Sequence, residues 1–316
     1  MKLHGIHHIT AIASDPQRNL DFYTQVLGLR LVKRTVNFDD PGSYHFYFGD
    51  GTGTPGTIIT FFPWPGVRRG SRGTSQVVAA SFAIPYSAMG YWKSQFQDAH
   101  IPAEETAPRL GDLVLRLTDP DGLMLELITS HHLQDVSLEF HNGVPHEFAI
   151  RGFHAPTLEV QNSKLTEELL TDVFGFEIIA KEKNRRRFSL DQKSASSQLD
   201  VVEQPDGVLG NIAAGTVHHI AFRAANDDEQ RQWREKLADL GFAVTPVIDR
   251  QYFHSIYFRE PAGILFEIAT DAPGFMIDEP LDQLGEQLKL PPQFESGRAA
   301  IERALPLISL LQKSGA

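Results

Sequence analysis

Hydrophobic and polar positions along the chain repeat in four similar segments. Each segment begins with an extended run rich in β-branched residues, continues with a helical pattern, and ends with shorter extended runs between turns rich in glycine and aspartate. The initial extended runs lie at residues 5–12, 77–84, 153–160 and 217–222. The pattern predicts four βαβββ modules in succession.

Capping residues mark the predicted helices. The first helix is predicted over Pro16–Leu27, with Asp15 as its N-cap and Gly28 as its C-cap. The corresponding helices of the later modules are predicted at Ser87–Ala99, Lys164–Phe174 and Asp227–Leu240. The three strands after the first helix are predicted at Leu29–Phe38, Ser43–Phe48 and Thr57–Phe62.

A single βαβββ module has one apolar sheet face and cannot stand alone, so such modules are expected to pair. We therefore predict an α+β fold in which the four modules form two barrel-like domains, residues 1–130 and 150–271. Residues 131–149 are predicted to link them. The tail, residues 272–316, contains a helical pattern at Gly297–Leu305 that Pro306 interrupts.

Composition narrows the function classes. A net charge of −11 and a sequence pI of about 5.6 disfavour nucleic acid as a partner. The chain has no cysteine, which excludes disulfides and thiolate metal sites, so a metal ion would need histidine and carboxylate ligands. The N-terminus lacks the apolar core of a signal peptide, and no apolar run approaches membrane-spanning length. We expect a cytoplasmic homo-oligomer without membrane partners.

The initial strands of the first and fourth modules each contain a His-His-Ile sequence, residues 7–9 and 218–220. Successive side chains of a strand point to opposite faces, so one histidine of each pair should face the interior of the sheet. His218 shares its face with Ile220 and Phe222, which is typical of a face packed under a helix. Alternation therefore favours His8 and His219 as the inward pair, with His7 and His218 pointing away.

The last strand of the fourth module supplies a carboxylate. Glu267 lies opposite the apolar face of Ile264, Phe266 and Ile268. An acid within so apolar a strand is costly to bury unless it is paired or binds a cation. His8, His219 and Glu267 are therefore the predicted metal ligands. Two histidines and one carboxylate leave coordination positions open, as in non-haem Fe(II) oxygenases, and Mn(II) can use the same ligands.

Residues near the predicted triad have functional and structural interpretations. The hairpin turn near Ala262 places Tyr257 opposite Glu267, where the phenol could donate or accept a proton. Arg250 could contact an anionic substrate oxygen, or it could belong to a solvated loop. Thr10 shares the face of His8.

The second and third modules lack the two histidines. Ala155 aligns with His8, and Ala79-Ala80 stands where the second module would carry its pair. Glu126 still mirrors Glu267. We predict that this half of the molecule binds no metal.

These motifs resemble the vicinal oxygen chelate superfamily, also called the glyoxalase/bleomycin-resistance fold. The sequences Gly5–Thr10, Val217–Phe222 and Ile264–Glu267 are similar to those of hydroquinone-type ring-cleaving dioxygenases, and the similarity spans nearly the whole chain. The resemblance implies Fe(II) at His8, His219 and Glu267, with a small aromatic substrate and O₂. It also implies that the pocket residues are His7, Thr10, His218, Arg250 and Tyr257.

Two other function classes remain open on this fold. A glyoxalase-type isomerase or thiol transferase would commonly use an additional carboxylate ligand near His8, where the strand Thr57–Phe62 offers only an apolar position. A metal-free protein that sequesters an aromatic ligand would not need the ligand set. The leading prediction is an Fe(II)-dependent ring-cleaving dioxygenase for a hydroquinone-like or catechol-like aromatic.

Overall fold

Sixteen strands and five α-helices follow one another in the residues that the computed structural model describes, 1–133 and 143–310. The first module consists of β1 (Ile6–Ala13), α1 (Pro16–Asp21), β2 (Arg30–Asn37), β3 (Asp40–Gly49) and β4 (Ile58–Pro63). The second consists of β5 (Gln76–Ile84), α2 (Met89–Asp98), β6 (Ala103–Glu105), β7 (Val114–Thr118) and β8 (Met124–Thr129). The third consists of β9 (Thr157–Val160), α3 (Lys164–Glu168), β10 (Glu177–Glu182), β11 (Arg185–Ser189) and β12 (Gln198–Glu203). The fourth consists of β13 (Thr216–Ala224), α4 (Asp227–Asp239), β14 (Ile248–Asp249), β15 (Phe253–Arg259) and β16 (Leu265–Pro273).

The helix of the first module begins where its capping residues predict. The Asp15 carboxylate accepts a hydrogen bond of 2.8 Å from the Arg18 backbone amide. After α1 the helix widens into a π-helical turn over Phe22–Val26, and the helix of the third module does the same after α3. Gly28 follows with a φ of +69°, a left-handed conformation that glycine adopts without steric cost.

Each module contributes its strands in the spatial order first, fourth, third, second, with the first and fourth parallel. The modules join through their initial strands. β1 pairs with β13, and β5 pairs with β9, in each case antiparallel. The result is two eight-stranded sheets, the first sheet from modules one and four and the second sheet from modules two and three.

This pairing corrects the expectation that residues 1–130 and 150–271 each close a barrel of their own. Each sheet takes one module from each half of the chain. All four modules present similar apolar faces, so the sequence pattern does not distinguish which two of them cover each other. Of the predicted linker, residues 134–142 lie outside the described residues, as do residues 311–316 of the tail.

The tail packs on the first sheet. Lys33 of β2 is fully buried, and its ammonium lies 2.5 Å from carboxylate oxygens of Asp278 and Glu279. The Arg34 backbone accepts a hydrogen bond from Lys289, and α5 (Arg298–Ala304) follows within one residue of each predicted end. Among the described residues, no helix is both long enough and apolar enough to cross a lipid bilayer.

Candidate metal centre

His8, His219 and Glu267 meet in the interior of the first sheet. The Nε2 atoms of His8 and His219 lie 3.2 and 2.8 Å from Oε2 of Glu267, and 3.3 Å from each other. All three side chains are buried, and Glu267 is completely inaccessible to solvent. Adjacent strands position them, since β1 carries His8, β13 carries His219 and β16 carries Glu267. Alternation thus selected the two histidines that the structure brings together with the acid.

The protonation states of Glu267 and His219 suit a cation. Burial raises the pKa of the Glu267 carboxyl, but the adjacent His8 and His219 rings outweigh burial and lower that pKa well below its usual range. Burial lowers the pKa of His219, so its imidazole is neutral. A carboxylate and neutral imidazoles are the forms in which these side chains bind metal ions.

One oxygen of the Glu267 carboxylate is satisfied and the other is not. Oε1 accepts a hydrogen bond of 2.5 Å from the Ser255 hydroxyl. Oε2, between the two ring nitrogens, accepts no well-oriented hydrogen bond although it is buried. An orphaned carboxylate oxygen beside two imidazole nitrogens fits a metal ion, because a cation would satisfy all three atoms at once. The group could therefore bind a metal.

The first histidine of each pair contacts the second. Nδ1 of His7 lies 2.8 Å from Nδ1 of His8, and the same atoms of His218 and His219 are also 2.8 Å apart. The prediction that His7 and His218 point away is therefore wrong. Each is the extra residue of a β-bulge, His7 opposite the Phe222–Ala221 step and His218 opposite the Thr10–Ala11 step. A bulge interrupts the alternation of side chains and redirects them.

These imidazole pairs fix the orientation of the triad. The outer nitrogen of a metal-binding histidine is normally held by a hydrogen bond that sets the ring's tautomer. His7 makes that contact to His8, and the Thr270 backbone hydrogen-bonds to the His7 ring in turn. His218 makes it to His219 and also lines the adjoining cavity, and burial lowers the pKa of His218 to about 3.

Tyr257 and Arg250 form one wall of the site. Tyr257 pairs with Glu267 across the hairpin, as the position of the turn predicts. The Arg250 guanidinium donates a hydrogen bond of 3.2 Å to the Tyr257 hydroxyl and reaches Asp39 at 3.3 Å. Burial and the Glu267 charge raise the pKa of the Tyr257 phenol, so it is protonated at neutral pH.

The wall from the first module contains residues that sequence reasoning missed. Thr10, which the sequence predicts, has its hydroxyl 2.9 Å from that of Thr60, and Thr60 lies 2.9 Å from Nε2 of His45. Nδ1 of His45 is 3.0 Å from the Tyr47 hydroxyl. Alternation along the predicted strand Ser43–Phe48 could have found them, because residues 43, 45 and 47 form its polar face. Thr60 is polar, which corrects the expectation that the strand Thr57–Phe62 offers only an apolar position near His8.

The two walls enclose a cavity of about 340 Å³ beside the triad. Its polar edges come from Thr10, His45, Tyr47, Arg250 and Tyr257. Aromatic and aliphatic side chains fill the surface between those edges, namely Phe38, Phe62, Trp64, Phe253 and Leu265. The cavity can therefore accommodate a flat aromatic molecule with polar substituents.

The equivalent position in the second sheet has no histidine. Strand register makes Ala155 the counterpart of His8 and Ala79 that of His219, so the expected alignment at Ala79-Ala80 is one residue too late. Glu126 and Asp200 stand where Glu267 and Thr60 stand in the first sheet. Arginines neutralise both acids. Arg109 makes two hydrogen bonds to Glu126 at 2.7 and 3.0 Å, and Arg187 contacts Asp200 at 2.7 Å.

A family model described as the glyoxalase/bleomycin resistance protein/dioxygenase superfamily matches residues 5–127 and 157–268. A relative from Bacillus subtilis (strain 168) is provisionally named ring-cleaving dioxygenase MhqO. It is 46% identical over 304 residues, with 96% of each chain covered. The chlorohydroquinone/hydroquinone 1,2-dioxygenase of Sphingobium indicum is 32% identical over 319 residues, again with 96% of each chain covered.

A solved structure extends the similarity to three dimensions. The crystal structure of a provisionally named dioxygenase from Bacillus subtilis subsp. subtilis str. 168 superposes with a TM-score of 0.94 at 44% identity. The alignment covers 98% of this chain and 99% of that one. The fold, both sheets included, is therefore shared with that protein over essentially its full length.

Proposed function

Because the chain belongs to the glyoxalase/bleomycin resistance protein/dioxygenase superfamily, we propose that it is a ring-cleaving dioxygenase acting on a hydroquinone-like aromatic with O₂. The observation that carries the proposal is the buried triad of His8, His219 and Glu267 at the base of an aromatic-lined cavity. The names of two relatives that align along the whole chain support ring cleavage, and one of them names hydroquinone as a substrate.

His8, His219 and Glu267 would hold Fe(II), and Mn(II) could use the same three ligands. When bound, the ion would offer open coordination positions to a phenolate oxygen and to O₂, and would allow electron transfer between them. His7 and His218 would keep the two ligand rings in the metal-binding tautomer through their contacts at Nδ1.

Tyr257 and Arg250 would act on the substrate oxygen nearest the triad. The Tyr257 phenol is protonated, so it can donate a hydrogen bond to a substrate phenolate or a proton to the opening ring. Arg250 both orients that hydroxyl and adds positive charge to this edge of the cavity. Developing negative charge on the substrate would be stabilised there.

His218 and Thr10 are the other predicted residues on the cavity surface. The His218 ring is neutral, with a pKa of about 3, and because its Nδ1 accepts from His219, its Nε2–H can donate a hydrogen bond to a substrate oxygen. Thr10 offers a hydroxyl that is already hydrogen-bonded to Thr60. His7 does not border the cavity. We therefore assign His7 to positioning His8, in place of the role as a pocket residue that the family resemblance implies.

A glyoxalase-type isomerase or thiol transferase is the second function class on this fold. An additional carboxylate ligand would be expected at the position of Thr60, which is the first-module counterpart of Glu267. A neutral hydroxyl stands there instead. This difference favours the dioxygenase proposal, since the three-ligand set keeps more coordination positions open for substrate and O₂.

The experiment follows O₂ consumption. Protein purified without oxygen is loaded with Fe(II) and mixed with methylhydroquinone or chlorohydroquinone in oxygenated buffer, while an oxygen electrode and the product absorbance are recorded together. We expect equal rates of O₂ uptake and ring opening. Tyr257→Phe should keep its iron but lower turnover by about 10²-fold or more.

Two controls make the result interpretable. Tyr86→Phe changes an exposed tyrosine outside the site and should turn over at the wild-type rate. Mn(II)-loaded protein identifies the metal that supports turnover. If none of several dihydroxyaromatics causes O₂ uptake with either metal, the proposed activity is wrong.

A further inference from the structure

A continuous run of hydrogen-bonding groups lines the cavity wall that belongs to the first module. It leads from Thr10 through Thr60 and His45 to Tyr47, with separations of 2.9, 2.9 and 3.0 Å between successive polar atoms. Thr10, His45 and Tyr47 border the cavity itself. The run thus presents a hydroxyl at each end, one next to the triad and one farther along β3.

Strand register makes this wall the counterpart of the wall that carries Tyr257. Tyr47 pairs with Thr60 across β3 and β4, just as Tyr257 pairs with Glu267 across β15 and β16. The cavity therefore has a phenol on either side. Arg250 and Glu267 engage the fourth-module phenol, whereas the hydrogen bond of Tyr47 goes to a neutral imidazole. The fourth-module phenol therefore contacts charged groups next to the metal ligands, whereas Tyr47 contacts a neutral ring.

The Tyr47 side chain is held rigidly. Its ring packs against the rings of Tyr252, Phe253 and Phe275, with centroid separations of 6.0, 6.3 and 5.2 Å. It is 1% exposed, so its hydroxyl has no bulk water to turn toward. The His45 ring lies 4.1 Å from the Tyr47 ring and fixes the direction of that hydroxyl. A fixed polar group loses little entropy when a ligand binds to it.

The charges of this wall suit a neutral hydroxyl group. Burial lowers the pKa of His45 well below its usual range and raises the pKa of Tyr47, so both groups are uncharged at neutral pH. A neutral imidazole carries one donor and one acceptor nitrogen. With its proton directed to His45, the Tyr47 oxygen can accept a hydrogen bond from a ligand hydroxyl. An anionic substituent would find no positive partner on this wall among the run's four side chains.

We propose that Tyr47, oriented by His45, binds the ring hydroxyl of the substrate that lies away from the metal ligands, and so sets a preference for a para-diol. The inference rests on the proposed function, because it assumes that the first hydroxyl is bound at the triad. A para-diol carries its hydroxyls at opposite ends of the ring and needs a polar group at both. An ortho-diol directs both oxygens to one end and gains nothing from Tyr47.

Anaerobic binding tests the pairing of the two hydroxyls. Hydroquinone and 4-methylphenol have nearly the same shape and share one phenol, but 4-methylphenol has a methyl group in place of the second hydroxyl. Dissociation constants for both are measured by calorimetry with Fe(II)-loaded wild type, Tyr47→Phe and Tyr44→Phe. Tyr44 is the matched control, since it lies on the same strand and donates its hydrogen bond to the Pro306 carbonyl, outside the cavity.

Wild type and Tyr44→Phe should bind hydroquinone about 10-fold more tightly than 4-methylphenol, the size of one hydrogen bond. Tyr47→Phe should reduce that ratio to about one by weakening hydroquinone alone. With O₂ present, Tyr47→Phe should raise the KM for hydroquinone about 10-fold and leave kcat within about twofold. An unchanged ratio in Tyr47→Phe would overturn the inference.

A second variant protects the test against a folding defect. His45→Phe leaves the Tyr47 hydroxyl in place but removes the ring nitrogen that orients it, and should lower the same ratio. If both variants fold, as judged by circular dichroism, and neither alters the ratio, the assignment is wrong. Failure of the proposed function would look different, because Fe(II)-loaded wild type would then consume no O₂ with hydroquinone whatever the binding ratio.

Discussion

The two sheets place different side chains around an equivalent buried glutamate. Around this site the first sheet has His8, His219, Thr60, Glu267, Tyr47 and Tyr257. At the equivalent positions, in the same order, the second sheet has Ala155, Ala79, Asp200, Glu126, Arg187 and Arg116. Both bury a glutamate on the last strand of a module. In the second sheet, guanidinium groups of the protein neutralise that glutamate. In the first, one of its oxygens lies between two histidine rings and accepts no well-oriented hydrogen bond.

The comparison teaches how a buried acid indicates function. A buried carboxylate needs a positive partner. Where the chain supplies an arginine, that side chain neutralises the acid, and no metal ion is needed. A chain that supplies imidazoles instead leaves a place where an external cation could bind. Glu126 and Glu267 occupy the same place in the fold, so their neighbours, and not their burial, distinguish a structural ion pair from a metal site.

The largest expected effect is loss of the metal on Glu267→Gln. The amide cannot supply a negative charge between His8 and His219, so we expect metal content to fall from about one ion per chain to below about one tenth. Glu126→Gln is the matched control in the second sheet and should retain its metal. Elemental analysis after gel filtration measures both. Equal metal loss in the two variants would remove the distinction between the sheets.

The free energy of unfolding should fall more when Glu126 is removed than when Glu267 is removed. In metal-free protein, Glu126→Ala leaves the largely buried Arg109 guanidinium with only Asp200, 3.9 Å away, and should lower the free energy of unfolding by about 3–5 kcal/mol. Glu267→Ala removes an acid that contacts the Ser255 hydroxyl and the two ligand rings, but it leaves no guanidinium behind, and should cost less, about 1–2 kcal/mol. Urea denaturation measures both values. Equal costs would contradict the assignment of Glu126 to a structural ion pair.

Low pH should lower the free energy of unfolding through protonation of Glu126. Burial raises the pKa of this carboxyl, but Arg109 outweighs burial and lowers it to about 2, against 4.5 in a model compound. Below pH 4.5 the unfolded chain binds a proton that the folded chain does not, so stability is present above that pH and is lost as the pH falls toward 2. Between pH 5 and pH 3 metal-free wild type should lose about 2 kcal/mol more than Glu126→Gln. Urea midpoints across this range test it, and parallel losses would count against the ion pair.

The smallest expected effect is that of restoring the histidines. Ala79→His combined with Ala155→His adds both missing rings beside Glu126, but we expect no gain in bound metal. Arg109 already neutralises the acid, and the Ala155 backbone has a φ of +47°, a left-handed conformation that His8 does not share. Elemental analysis on variants with native circular dichroism checks this. A second bound ion would mean that the histidines alone distinguish the sheets.

Much of the site could be predicted because it depends on local patterns. The repeat aligned the two histidine pairs, alternation selected His8 and His219, and hairpin symmetry placed Tyr257 opposite Glu267. What failed depended on contacts between strands. The bulges that turn His7 and His218 toward the ligand rings appear only when β1 and β13 pair. The pairing of the first module with the fourth is likewise a tertiary choice.

The first-module wall of the cavity, with His45 and Tyr47, also depends on contacts between strands. His45 and Tyr47 share the polar face of a strand, but their connection to Thr10 requires Thr60 from a different strand. No pattern within β3 or β4 alone describes that run. The expected homo-oligomer and the cytoplasmic location stay predictions, since a single chain tests neither.

The mass of the reaction product tests the central claim most directly. Fe(II)-loaded protein is mixed with methylhydroquinone under ¹⁸O₂, and the product is analysed promptly by mass spectrometry alongside a reaction under ¹⁶O₂. We expect a ring-opened product that contains both atoms of one O₂ molecule, formed by wild type and Glu126→Gln but not by Glu267→Gln. A quinone that is two hydrogens lighter than the substrate and carries no oxygen label would contradict ring cleavage.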